Sequence, residues 1–115
     1  MADETVTLAY TQWALVELDG ELVELGALAP NLSLDLEESR VAGSSGVNRF
    51  AGTFVMSEGE LRFGPLVTTR MAGPEDAMRL EQRFLEALAR VTFYELEGRA
   101  LTLLADGRPL VRLAC

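Results

Sequence analysis

Histidine and lysine are absent from this 115-residue chain, and cysteine occurs once, as the last residue, Cys115. Without histidine there is no imidazole base for a Ser-His-Asp or Cys-His mechanism, and no imidazole ligand for zinc. A single terminal cysteine cannot form an internal disulfide and is expected to fray in solvent. No apolar run approaches the ~20 residues that a membrane-spanning helix needs. Positive charge is scarce: ten arginines stand against eighteen acids, for a net charge of −8. Such a surface repels the phosphate backbone and the anionic face of a membrane, so nucleic acid is not an expected partner. The start, Met1-Ala2-Asp3-Glu4, is acidic and lacks the basic and apolar regions of a signal peptide. The expectation is a cytoplasmic protein as written, or an exported or envelope-associated one if a leader was trimmed.

What is present is strand and turn chemistry. The length suits one domain, residues 1–115, with 1–11 expected to be poorly ordered. Residues 5–10 alternate weakly as a strand, and Trp13 to Leu18 does so strongly. Asp19-Gly20 is a type I′ turn signal with a return over Leu22 to Leu25. Leu32, Leu34 and Leu36 alternate with polar residues after Pro30, and Glu38-Ser39-Arg40 is read as carrying that strand on toward Val41. Gly43-Ser44-Ser45-Gly46 predicts a turn through positive φ, and Asn48 locks it. Phe50, Phe54 and Met56 then alternate with Arg49, Ala51, Thr53 and Val55, with Gly52 marking a bulge or a close backbone approach. Glu58-Gly59 turns into Leu61 and Phe63, a hairpin that runs on toward Val67.

Gly73-Pro74-Glu75-Asp76 opens a helix, with Pro74 suited to the first helical position and two acids at the positive end of the dipole. Ala77, Leu80, Phe84, Leu88 and Val91 recur at helical spacing, and arginines, glutamine and glutamate face the other way. Strands follow at Thr92 to Leu96, Leu101 to Leu104 and Leu110 to Leu113, with turns at Glu97-Gly98 and Asp106-Gly107. The fold class expected is α+β: a bent antiparallel sheet or partly open β-barrel of about eight strands, with one helix packed on it.

The blocks Gly43-x-x-Gly46-x-Asn48-x-Phe50-x-Gly52-x-Phe54, Leu61-x-Phe63-Gly64, Thr69-x-Met71-Ala72-x-Pro74 and Glu81-x-x-Phe84-x-x-Ala87-Leu88 resemble the META domain of the HslJ-like heat-inducible bacterial proteins. The resemblance runs from about Trp13 to the C-terminus and implies a similar α/β-roll with a stress- or envelope-related role. That family commonly carries cysteine directly before the Asn and directly before the Pro. Here those positions are Val47 and Gly73, so any thiol role of the pair is absent, and the two residues are expected to lie within disulfide reach of each other.

Each candidate site has a plain structural reading beside it. Ser44-Ser45 lacks the Gly-x-Ser-x-Gly spacing of a nucleophile elbow and reads as a turn. The acidic pairs Glu37-Glu38, Glu58 with Glu60, and Glu75-Asp76 fall at turns or at the helix start, where solvation and capping account for them. Arg49 and Arg70 flank the central blocks and could hold an anion or a partner carboxylate, or pair with one of the eighteen acids. Thr68-Thr69 could bind a ligand or pair across the sheet. Glu81 lies at the edge of the apolar helix stripe, and Arg49 or Arg70 is its expected partner if it is buried. Trp13, Phe50, Phe54, Phe63, Phe84 and Phe93 are assigned to the core, or in part to a cleft for an apolar tail. The candidate motif is therefore Asn48, Arg49, Phe50, Thr69, Arg70 and Glu81, with no catalytic, cofactor or metal residues assigned. The function expected is a non-enzymatic domain, monomeric or weakly dimeric, that binds a protein or an apolar ligand. A small carrier of lipid or hydrophobic compounds is the alternative, and a carboxylate-based hydrolase ranks last.

Overall fold

The structure, a computed structural model, describes residues 8–9, 11–23 and 29–115. Among the described residues, nine antiparallel strands form one sheet: β1 (Trp13–Leu18), β2 (Glu21–Leu22), β3 (Asn31–Asp35), β4 (Arg40–Ser44), β5 (Arg49–Ser57), β6 (Glu60–Thr68), β7 (Phe93–Glu97), β8 (Ala100–Ala105) and β9 (Arg108–Ala114). Consecutive strands pair throughout from β3 to β9, and β9 returns to pair with β1. The sheet thus closes into a ring, though not a regular barrel. One edge of β1 meets β3 at Trp13 and Ala14, then β2 at Glu17 and Leu18. Between β6 and β7 the ladder holds a single pair, Glu60 with Phe93.

Turn chemistry sets the hairpins. Asp19-Gly20, Glu58-Gly59 and Asp106-Gly107 each place both residues at positive φ, as a type I′ turn requires. The sheet differs from the sequence reading at Glu38 to Arg40. The strand does not carry on: residues 36–39 turn, and β4 is a strand of its own that pairs back on β3. The Asp35 carboxylate drives the turn by accepting from the backbone N–H groups of Glu37 and Glu38, at 3.0 and 3.3 Å, and Ser39 follows in the left-handed region. Gly43 is also reassigned. It lies within β4, and glycine is needed there because a Cβ would stand 2.1 Å from the Asn31 carbonyl oxygen. Gly46 does supply the positive φ of the following turn. The strand expected over residues 5–10 lies mostly outside the described residues, as does most of the segment expected to be poorly ordered. Leu8 and Ala9, which are described, are buried and helical or turn rather than extended.

Helix α1 (Glu75–Arg90) packs on β6 and β9. Glu81, Phe84, Ala87 and Leu88 are its buried residues, at the three- and four-residue spacing of one face. Glu75 and Asp76 stand at its positive end and Arg90 at its negative end. Pro74 occupies the N-cap, one position earlier than expected. Phe84 is fully buried, worth up to about 3 kcal/mol of apolar transfer, and meets the Phe50 ring edge-on at 6.0 Å. Trp13, Leu15, Leu32, Leu34, Val41, Leu61, Leu101, Leu103 and Leu113 complete the interior. Phe93, assigned to the core above, is 45% exposed: alternation along β7 turns Tyr94 and Leu96 inward and Phe93 outward.

Candidate functional site

Two features meet at the motif blocks: a buried polar junction and an open groove. The junction is centred on Asn48, just before β5. Its Oδ1 accepts from the Met71 N–H at 2.6 Å and from the Thr69 hydroxyl at 2.9 Å. Its Nδ2 donates to the Met71 carbonyl at 3.1 Å and to Glu81 Oε2 at 3.0 Å. All four bonding positions of the amide are therefore filled. Glu81, from the buried face of α1, also accepts from the Asn48 N–H at 2.9 Å and from the Ser45 hydroxyl through its Oε1. Ser45 N–H donates to the Asn48 carbonyl at 2.8 Å and closes the turn. The junction ties α1, the turn between β4 and β5, and the segment after β6 into one unit.

Glu81 is buried, as its position at the stripe edge implied, but its partners are Ser45 and Asn48 rather than Arg49 or Arg70. Strand parity explains the correction. Arg49 precedes the inward-facing Phe50 and so points to the outer face, away from the helix. Arg49 and Arg70 are both exposed and make no ion pair among the described residues. Ser45, read from sequence as a turn residue only, is fully buried and its hydroxyl is spent on Glu81. Nothing in the local sequence signals that bond, which spans 36 residues. Among the described residues no group of three or more acids, histidines or cysteines could hold a metal ion, and no buried side-chain polar atom lacks a partner.

The segment before Pro74 runs beside Val47. A Cβ built on Gly73 lies 3.5 Å from the Val47 Cβ, inside the range of disulfide-bonded pairs. In a Cys115→Ser background, Val47→Cys with Gly73→Cys is expected to oxidise completely and to add up to about 3 kcal/mol to stability. Two thiols still titratable under oxidising conditions would contradict this approach.

The groove lies on the outer face of β3 to β6, with a volume of about 740 Å³. Its floor is a cross-strand row of small side chains: Ser33 opposite Ala42, and Ala42 opposite Ala51, with Val67 next on β6. Arg49, Thr68 and Thr69 line one side. Thr69 belongs to both features. Its hydroxyl donates to Asn48 Oδ1 and accepts from the Arg49 N–H at 3.0 Å, so the groove wall is fixed to the buried junction. A smaller hollow of about 390 Å³ continues past Thr69 along Arg70, Met71 and Met78.

A model of the META domain family matches residues 6–114. Among solved structures, the chain is similar to a protein from Burkholderia xenovorans studied by NMR, with 25% identity and a TM-score of 0.75 over 97% of this chain and 87% of that one. A second NMR structure shows 26% identity and a TM-score of 0.71 over 97% and 94% of the two chains. A crystal structure of a DUF4847 family protein from Bacteroides vulgatus shares the fold at 15% identity, with a TM-score of 0.68 over 97% and 96%. No curated protein matches.

Proposed function

As the chain belongs to the META domain family, we propose that it is a non-enzymatic binding domain that uses the outer groove of β3 to β6 to hold a partner. The observation that carries this reading is the groove itself: a floor of half-buried Ser33 and exposed Ala42 and Ala51, beside an exposed Val67 and an Arg49 with no ion-pair partner among the described residues. The interior is filled by side chains from Trp13 to Leu113, so a ligand taken up there would have to displace the core. Ser45 and Glu81, the buried serine and carboxylate that meet among the described residues, are bonded to each other and to Asn48. The stress- or envelope-related setting expected from the resemblance belongs to this proposal.

Ala51→Arg tests it, because Ala51 is exposed on the outer face and the longer side chain fills the groove without entering the core. The wild-type protein, immobilised and exposed to extract of heat-stressed source cells, is expected to retain a partner that the folded Ala51→Arg variant does not. Equal capture by both proteins, or capture by neither, overturns the groove as the binding surface. Turnover of an ester, peptide or glycoside by pure protein, abolished by one carboxylate substitution, overturns the non-enzymatic reading.

A further inference from the structure

Resting on that reading of the groove, we infer that its occupant is an extended acidic peptide, with small apolar side chains alternating with carboxylates. Charge is the first argument. The chain has eighteen acids and a net charge of −8, yet none of the residues lining the groove is acidic and Arg49 is among them. Arg49 has no ion-pair partner among the described residues, although acids outnumber arginines. Its guanidinium presents a planar fork that matches a carboxylate.

Shape is the second argument. The floor crosses four adjacent strands from Ser33 through Ala42 and Ala51 to Val67. At about 4.8 Å between strands, this is a track of roughly 14 Å, the length of four or five extended residues. Alternate side chains of such a peptide point the same way, so every second one meets the small floor and those between remain free to reach Arg49.

An unspent polar group is the third argument. The Ser33 side chain shares the outer face with Ala42, and its hydroxyl makes no hydrogen bond among the described residues. A peptide backbone supplies a partner for it, whereas an acyl chain supplies none. The groove is also open, and an acyl chain laid in it would keep much of its surface in water, unlike the deep burial usual for small apolar ligands.

The probe is a fluorescein-labelled peptide alternating valine and aspartate, read by anisotropy, with an aspartate-to-asparagine version and decanoic acid as comparisons. The acidic peptide is expected to bind at least ten-fold more tightly than the asparagine version. Arg49→Gln is expected to remove that preference, and Ala51→Glu, which fills the floor and repels the carboxylates, to abolish binding. Added salt should weaken the interaction, since the pair it rests on is exposed. Equal binding of the two peptides overturns the acidic specificity while leaving the groove reading intact. Displacement of the peptide by decanoic acid at comparable concentration assigns the groove to an apolar ligand and overturns the inference. So does the absence of any anisotropy change up to millimolar protein, and the capture comparison with Ala51→Arg then decides the groove reading separately.

Discussion

Replacing Asn48 with alanine is expected to lower the unfolding free energy by about 3 to 4 kcal/mol. The side chain fills four bonds to three residues, Thr69 and Met71 in the segment after β6 and Glu81 on α1. Its removal leaves the Met71 N–H and one oxygen of Glu81 without their protein partners. For a chain of this length the loss corresponds to a melting temperature lower by roughly 10 to 15 °C. Glu81→Ala is a companion, since it strands two Asn48 donors rather than an arginine and leaves the Ser45 hydroxyl only the Asn48 carbonyl. The two substitutions share bonds, so the double variant should fall short of their sum by roughly 1 to 2 kcal/mol. Urea unfolding of the four proteins measures this. A loss below about 1 kcal/mol for Asn48→Ala would remove the junction as a stabilising element.

Gly43→Ala is the second large effect, expected to cost about 3 kcal/mol or to prevent folding. The added methyl would stand 2.1 Å from the Asn31 carbonyl oxygen and 2.7 Å from the Leu32 Cα, and both are backbone atoms that cannot swing away. Either β3 moves off β4 or the pairing of Leu32 with Gly43 is lost. Gly20→Ala serves as a contrast, because its site has nothing within 4 Å and only its positive φ is strained, for a cost of about 1 kcal/mol. Thermal melts of the two variants should rank them clearly. A Gly43→Ala protein that melts with the wild type would show that the two strands are further apart than described.

The parts of this fold that are legible in the sequence are those with local causes. The helix is read from the three- and four-residue recurrence of Ala77, Leu80, Phe84 and Leu88, and the hairpins from Xaa-Gly pairs whose positive φ values the structure bears out. β4 is harder to see, because its preceding turn is made by an aspartate, Asp35, and a non-glycine residue at positive φ, Ser39. The alternation Phe93, Tyr94, Glu95, Leu96 already groups Phe93 with the glutamates, but its aromatic ring outweighed that parity in the sequence reading. At the site, Asn48 and Glu81 are both legible as special, Asn48 from its turn and Glu81 from its place in the apolar stripe. Their mutual bond is not, because it joins residues 33 apart and depends on where α1 lands. Charge alone pairs Glu81 with Arg49 or Arg70, but the pleat of β5 sends Arg49 to the other face, and both arginines are exposed.

The lone Glu60–Phe93 pair between β6 and β7 has a consequence for how the closed sheet fluctuates. Every other join between neighbouring ring strands holds two or more pairs, so thermal opening begins at this seam. The molecule then parts like a cuff along one line. Its curved wall stays continuous from β7 round through β9 and β1 to β6, and with it stays the groove of β3 to β6, which ends at the seam.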